Sequence, residues 1–143
     1  VKLYIPNNKV SKATSPGATI VEHPEDPNIA ATENVSTETL DAYCNRLNLK
    51  PAFLKMDVEG NELKVLKGGI DTLKKYKPKI LVEVEARHVG KEKVLETFSF
   101  MESLGYKGFI LHNLDHIPIA NFSFDKYQNT NDMSNYCNNF IFE

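Results

Sequence analysis

The sequence predicts an α/β fold with a mostly parallel sheet. From residue 37 onward, strand-like apolar segments alternate with segments of helical spacing, and such alternation is typical of parallel strands joined by right-handed crossovers. The apolar segments at 52–58 and 79–86 do not alternate strictly, as expected of strands covered on both faces. The 143 residues, 41% of them hydrophobic, suffice for one core, so we predict a single domain over 1–143.

Residues 1–36 are predicted to form hairpin or loop structure. VKLYI alternates like a strand, the turn-forming segments PNNK and EHPEDPN follow, and IAATENV indicates a second strand. The chain begins at Val1, without methionine, so we expect it to be a piece of a longer protein. A helix and then alternating strands and helices are predicted over 37–143.

A change of period marks the first helix. The apolar side chains of STETLDAYCNRLNL recur at i, i+3, i+4 and i+7, at Leu40, Tyr43, Cys44 and Leu47. Ser36 or Thr37 precedes them and can cap the first amides. This spacing predicts a short amphipathic helix that Pro51 ends.

The centre of the chain is predicted to hold a buried strand and a helical stretch. AFLKMDV, residues 52–58, is interpreted as a buried parallel strand. A single helical stripe follows it, at Leu63, Leu66, Ile70 and Leu73. Gly68 and Gly69 interrupt this stripe at a cost of about 1 kcal/mol each relative to alanine. We therefore predict either a kinked helix or two short helices.

The last third of the chain repeats the alternation. After Pro78, KILVEVEA is predicted as a second buried strand and YKGFILHN as a third. The helix between them ends at a Gly105 cap, and its apolar positions are Val94, Leu95, Phe98 and Met101. Residues 113–135, rich in Asn, Asp and Ser, are expected to be irregular, and NNFIFE is predicted as a terminal strand.

Charge and cysteine content argue against several classes of protein. The net charge is -2, with 17 basic and 19 acidic residues intermixed, so the sequence lacks the one-sided basic character of a nucleic-acid binder. No apolar run approaches the roughly 20 residues that cross a bilayer, so no membrane partner is expected. Cys44 and Cys137 lie far apart and fit no metal-ligand spacing, which indicates reduced thiols in a cytoplasmic protein.

Acidic residues gather where the two predicted buried strands end. Asp57 and Glu59 follow the first strand, Glu83 and Glu85 close the second, and His88 lies in the loop just beyond. Ligands of open α/β sheets bind beyond the carboxyl ends of the strands. We therefore expect these five residues, called the acidic rim below, to share one edge of the sheet.

The first part of this rim has both structural and functional interpretations. Glu59 and Glu62 suit the acidic first turn of the next helix, and this capping role is favoured over chemistry. Gly60 permits the turn itself. Asp57 ends an apolar strand, where burying an unpaired carboxylate is costly, so a site role and a structural role are equally open.

Glu83 and Glu85 share one face of their strand because side chains alternate. Glu83 is either a buried hydrogen-bonded strut or a site residue, and Glu85 is expected to reach solvent. His88 can accept a proton near neutral pH, although a lone loop histidine is more often merely exposed. His112 and His116 frame HNLDH, but the turn residues between them argue against a metal site.

The run KMDVEGNELKVLKGG carries a resemblance to a known family. With KPKILVEVE, Leu104-Gly105-Tyr106 and the closing NNFIFE, it resembles the FkbM family of S-adenosyl-L-methionine-dependent methyltransferases. The family core (K)-(I/M)-D-V-E-G-x-E-x-x-V-L-x-G is matched at Lys55, Asp57, Val58, Glu59, Gly60, Glu62, Val65, Leu66 and Gly68. The similarity extends in order over about two thirds of the chain, well beyond one short motif.

The resemblance implies a Rossmann-like class I methyltransferase sheet of seven strands, the last of them antiparallel. AFLKMDV then corresponds to the fourth strand, KILVEVE to the fifth, and YKGFILH with NNFIFE to the final pair. The VKLYIP region resembles the hairpin insertion that precedes the fourth strand in this family.

The resemblance also implies an activity. The cofactor would be S-adenosyl-L-methionine, and the partner would be a small-molecule hydroxyl acceptor such as a sugar, methylated on oxygen. Such a transfer needs in-line placement and a base for the hydroxyl proton. On this basis the candidate catalytic residues are Asp57, Glu83 and His88, and the candidate cofactor-binding residues are Asp57 and Glu59.

The chain departs from the family pattern ahead of Lys55. The family holds its cofactor on a G-x-N-x-G turn after the first strand and on an acid ending the second, whereas Gly17 is the only glycine before Lys55. We therefore expect the C-terminal part of the sheet only, with the first strands missing. The exposed edge would pair with a second copy of the chain or with the rest of a longer protein.

Two other interpretations stay open. The chain could be a non-catalytic α/β binding or assembly module derived from this fold. It could also be a different hydrolase or transferase that uses the acidic rim with Mg²⁺, which prefers carboxylate oxygens.

Overall fold

The computed structural model describes residues 1–6, 18, 20, 29–112 and 115–143. In these residues the chain forms a two-stranded ribbon and a mixed α/β unit built on a five-stranded sheet. Most of the predicted PNNK turn, all of EHPEDPN and Gly17 lie outside the described residues. No helix in the described ranges is long and apolar enough to cross a membrane.

The ribbon pairs strands β1 (Lys2–Pro6) and β2 (Ile29–Asn34) antiparallel, with Lys2 opposite Asn34. The predicted hairpin strands are therefore confirmed. The register shifts between Ile5 and Pro6, consistent with the missing amide hydrogen of proline at the end of a strand.

Helix α1 (Leu40–Arg46) begins at Thr39, whose hydroxyl accepts a 3.1 Å hydrogen bond from the amide of Ala42. The prediction of Ser36 or Thr37 as the cap is therefore wrong. An N-cap side chain must reach an amide two or three residues ahead of it. Thr39 stands three residues before Ala42, whereas Ser36 and Thr37 are too far from that amide along the chain.

Helices α2 (Glu62–Lys67) and α3 (Ile70–Tyr76) meet at the glycine pair, so the prediction of two short helices is correct. A Cβ atom on Gly69 would lie 2.6 Å from Cδ2 and 3.2 Å from Cβ of Leu40, so glycine lets α1 approach this junction. The carboxylate of Asp41 then accepts hydrogen bonds of 3.1 and 2.8 Å from the amides of Asp71 and Thr72. In this way α1 caps the start of α3.

The strands of the main sheet are β3 (Phe53–Met56), β4 (Lys79–Glu83), β5 (Gly108–His112), β6 (Asp115–Pro118) and β7 (Asn139–Phe142). Their order in the sheet is β3-β4-β7-β5-β6. The remaining helices are α4 (Ala86–Val89), α5 (Lys91–Ser103) and α6 (Phe124–Tyr127), with 3₁₀ turns at Ile119–Asn121 and Met133–Asn135.

The predicted antiparallel last strand is confirmed, because β7 lies antiparallel between β4 and β5. The sheet is nevertheless mixed rather than mostly parallel. Of the four strand pairings described in this five-stranded sheet, only β3 with β4 is parallel. Strand β6 was not predicted, since 113–135 was expected to be irregular. It forms by pairing with β5, with Ile117 opposite Ile110.

The prediction of two buried strands is right for β4 and wrong for β3. In β4, Ile80 and Val82 have no exposed surface. In β3, Phe53 is 57% exposed and Lys55 is exposed, while Met56 on the other face is buried. The reason is that β3 is an end strand of the sheet, with β4 as its one neighbour among the described strands.

The core lies between the sheet and α5. Phe98 of α5 packs against three aromatic rings, with centroid distances of 4.8 to 6.2 Å to Phe122, Phe140 and Phe142. Val94 and Met101 of the predicted stripe are also buried. Leu95, by contrast, is 48% exposed, because it lies about 100° around the helix from Val94 and faces away from the sheet.

Candidate functional site

The turn after β3 has an unusual backbone. Glu59 and Gly60 both have positive φ, at 49° and 95°. Glycine adopts such a conformation freely, but for Glu59 it costs roughly 1–2 kcal/mol. A turn of this kind persists only where its surroundings hold it in place.

Glu62 holds this turn. Its side chain is 3% exposed, and its Oε1 atom accepts hydrogen bonds from the amides of Val58 at 3.2 Å and Gly60 at 3.0 Å. Glu62 is the first residue of α2, so the expected structural role at the helix start is confirmed for this residue.

Asp57 is 45% exposed, and its carboxylate lies 3.2 Å from Nζ of Lys55. The predicted cost of burying it therefore does not arise, because water and Lys55 both solvate the charge. A structural reason for an acid at this position is correspondingly weak.

His88 connects the turn after β3 to the end of β4. Its Nδ1 atom lies 3.6 Å from Oε2 of Glu59, and both side chains are about one third exposed. The prediction that His88 lies in a loop is wrong, since it belongs to α4. The carbonyl of Glu85 accepts the amides of His88 at 3.0 Å and Val89 at 3.1 Å, which winds this segment into a helical turn.

Glu85 was expected to reach solvent, and this expectation is wrong. The residue is 2% exposed. The strand ends at Glu83, so Glu85 is the N-cap residue of α4 rather than a continuation of the sheet. Its carboxylate forms an ion pair with Arg87 and accepts hydrogen bonds from the hydroxyl of Tyr136 and, at 2.8 Å, from the side-chain amide of Asn138.

These contacts set the charge state of the buried group. Burial alone would raise the pKa of Glu85, but the hydrogen bonds from Arg87, Tyr136 and Asn138 outweigh it and lower the pKa to about 2. Burial and the same contact with Glu85 raise the pKa of Tyr136 to about 12. Glu85 is therefore ionised and serves as a structural anchor.

Glu83 is half-buried, and its Oε1 atom accepts a 2.7 Å hydrogen bond from the side-chain amide of Asn138. Burial, together with the negative charges of Asp57, Glu85 and Glu59, raises the pKa of Glu83. Its surroundings thus make the ionised carboxylate a stronger proton acceptor. The carboxylates raise the pKa of Glu83 only because they lie near it. The structure therefore brings the predicted acidic residues to one edge of the sheet.

Three residues of this edge were not predicted: Arg87, Tyr136 and Asn138. Tyr136 and Asn138 are distant in sequence and reach the site because β7 pairs with β4, with Asn139 opposite Glu83. Only knowledge of that pairing could have identified them. Gln128 supports the same edge, since its side chain accepts from the amide of Ala86 and donates to the carbonyl of Val84, both at 2.8 Å.

His112 and His116 lie away from this edge. His112 on β5 has its ring 5.9 Å from that of Tyr127, and His116 on β6 has its ring 5.9 Å from that of Phe109. Within the described ranges, no group of three or more His, Cys, Asp or Glu side chains is arranged to hold a metal ion.

Comparison with known proteins identifies the family. The family model described as the methyltransferase FkbM domain matches residues 3–107, which is more than half of the chain and includes the acidic rim. Searches of the curated proteins and of the solved structures gave no significant match. Since the family match covers most of the chain, this protein belongs to the FkbM methyltransferase family.

Proposed function

We propose that the protein takes part in S-adenosylmethionine-dependent methyl transfer to a hydroxyl oxygen of a sugar or another small molecule. The family match supports methyl transfer as the reaction class. The observation that carries the proposal is Glu83, a half-buried carboxylate whose pKa is raised by burial and by the charge of Asp57, at the ends of neighbouring parallel strands.

The rim residues suit this reaction in different ways. A hydroxyl group must lose its proton as its oxygen accepts a methyl group, and a positioned base assists this step. Glu83 is our choice for the base, because its raised pKa favours proton uptake and Asn138 fixes its orientation. His88, beside Glu59, is a second group able to orient the acceptor or take its proton.

The methyl donor would supply an electrophilic methyl group on a sulfonium. The partly exposed carboxylates of Asp57 and Glu59 fit its hydrogen-bond donors, the ribose hydroxyls and the ammonium group. The sequence contains no G-x-N-x-G turn, however, so these residues account for one wall of a donor site. We propose that the other wall comes from a segment that pairs along the edge of β3, which is an end strand of the described sheet.

Transfer of a radioactive methyl group from S-adenosylmethionine to a panel of sugars tests this proposal. We expect labelled product that survives mild alkali, because a methyl ether is stable there and a methyl ester is hydrolysed. Label released by alkali would contradict transfer to a hydroxyl. Absence of both transfer and donor binding would instead favour a non-catalytic binding module, the alternative that the missing glycine-rich turn supports.

A further inference from the structure

A second concave surface adjoins the acidic rim and has the opposite charge. It is a groove of about 270 Å³ between α2 and the α4–α5 junction. Its polar side chains are Lys64 and Lys67 from α2, His88 from α4 and Lys93 from α5, and Gly60 also lines it. We call it the basic groove.

The charge of the basic groove is not balanced by its own walls. Its described lining includes three ammonium groups and an imidazole but no carboxylate, in a chain of net charge -2. Lys67 pairs with Glu96 at 2.7 Å, outside this lining. Lys64 has the neutral Oδ1 of Asn61 at 3.2 Å. His88 has its Nδ1 atom 3.6 Å from Oε2 of Glu59, and Glu96 also interacts with Lys93. The three ammonium groups thus have two carboxylates close by, and the groove keeps a surplus of positive charge.

The lysines of the basic groove also repel one another when no anion lies between them. Lys64 and Lys67 are three residues apart on one face of α2, where like charges repel, and Lys93 lines the same groove from α5. An anion bound between them would convert this repulsion into attraction. Lysine binds phosphate and carboxylate as a compact point charge, without a fixed fork geometry. The apolar side chains of Leu63 and Val89 complete the lining and suit the carbon skeleton of a small molecule.

The position of the groove connects it to the proposed chemistry. Gly60 and His88 belong both to the groove and to the two segments that form the acidic rim. A ligand whose anionic group lay among the lysines would extend toward the rim carboxylates. We infer that the basic groove binds a phosphate or carboxylate group on the hydroxyl-bearing acceptor, so that the acceptor is an anionic sugar or a similar small molecule. The identification of the ligand as the acceptor rests on the proposed function.

Amide chemical shifts of ¹⁵N-labelled protein test the inference directly. The probes are inorganic phosphate, glucose 6-phosphate, glucuronate and neutral glucose, each titrated separately. We expect the three anions to shift the amides of Gly60, Leu63 and Val89 in a saturable manner, and glucose to leave them unchanged. Raising the salt concentration from about 50 to about 500 mM should weaken the binding, because salt screens exposed charges.

Variants show whether the lysines are responsible. The double variant Lys64→Gln/Lys93→Gln should bind glucose 6-phosphate at least about tenfold more weakly, a loss of about 1.4 kcal/mol. Lys64→Arg/Lys93→Arg, which keeps the charge, should retain most of the binding. Lys74→Gln, at an exposed position of α3 outside the groove, should bind like the unmodified protein. Circular dichroism melting confirms that each variant is folded.

Equal shifts with glucose and with the anions, or unchanged anion binding by the double glutamine variant, would overturn the inference. The outcomes also separate it from the proposed function. Binding of the methyl donor without binding of any anion would refute the anion-binding role of the groove and leave the proposed function standing. Anion binding at the groove without any methyl transfer would leave the groove as a binding site and refute the acceptor role.

Discussion

The side-chain amide of Asn138 lies 2.7 Å from Oε1 of Glu83 and donates a hydrogen bond to it. The same amide donates to Glu85 at 2.8 Å, so one residue beside the last strand holds two carboxylates at the end of β4. The pKa of Glu83 is raised, and that of Glu85 is lowered to about 2. Environments that separate the pKa values of neighbouring acids commonly assign them different roles. Here Glu85 is the structural anion, and Glu83 is the proton acceptor that we propose.

Replacing Asn138 by alanine should destabilise the protein. The change removes two hydrogen bonds to carboxylates, and we expect a loss of about 2 kcal/mol in the free energy of unfolding. Urea denaturation at neutral pH measures this loss. Asn131→Ala, at an exposed position of the same segment, is the matched control and should change stability little. Equal effects of the two substitutions would refute the bridging role of Asn138.

Replacing Glu85 by glutamine should reveal an acid-dependent contribution to stability. The folded pKa of about 2 lies below the ordinary value of 4.5, so the ionised group stabilises the fold above pH 4.5. That contribution, on the order of 2–3 kcal/mol, is lost as the pH falls from about 4.5 to about 2. Urea titrations across this range should show Glu85→Gln less stable at pH 7 and the difference shrinking toward pH 2. A constant difference would contradict the lowered pKa.

Glu83→Gln, unlike Glu85→Gln, should not lower the stability of the protein at pH 7. Burial and neighbouring acids disfavour the charged form of Glu83, and glutamine keeps an oxygen that can accept from Asn138. Stability at pH 7 should therefore stay within about 0.5 kcal/mol of the unmodified protein or rise. Methyl transfer should fall by about 10²–10⁴-fold, the usual loss for a missing general base. Full activity in Glu83→Gln would exclude Glu83 as the base.

Glu62→Ala should loosen the turn after β3. The substitution leaves the amides of Val58 and Gly60 without their buried acceptor, at a cost of about 1–3 kcal/mol. Hydrogen exchange at these two amides should accelerate more than elsewhere. Glu102→Ala, at an exposed position of α5, provides the control. Unchanged exchange at Gly60 would show that something other than Glu62 holds the turn.

The edge of β3 should promote association. Phe53 is 57% exposed on this end strand, so sedimentation equilibrium should detect concentration-dependent association of the chain. Phe53→Glu should shift the population toward the monomer. Leu95→Glu, which changes a similarly exposed apolar residue on α5, should not. A monomer at all concentrations for the unmodified chain would argue against an edge that needs a partner.

Much of the fold could be predicted because local patterns determine it. The period of the apolar residues located α1, β4, α5 and β7, and Gly68 with Gly69 marked the junction of α2 and α3. The burial of β3 could not be predicted from its own residues. A strand at the end of a sheet and a central strand can share one apolar pattern, and only the order of the strands distinguishes them.

The candidate site was predictable in part for the same reason. Asp57, Glu59 and Glu83 follow or end neighbouring parallel strands, so their approach to one another follows from the sequence pattern. The role of Glu85 does not follow from this pattern. Strand β4 ends two residues before it, and Glu85 is instead the buried N-cap residue of α4. Tyr136 and Asn138 enter through the antiparallel pairing of β7 with β4, a long-range contact that no local spacing encodes.

We propose that the turn after β3 and the end of β4 form one wall of the methyl-donor site. Titration of ¹⁵N-labelled protein with S-adenosylhomocysteine, the stable product of the donor, measures binding at this wall. We expect weak, saturable shifts of the amides of Asp57, Glu59 and Gly60, with smaller shifts at Glu83. Shifts confined to another part of the chain, or no shifts at millimolar ligand, would contradict it.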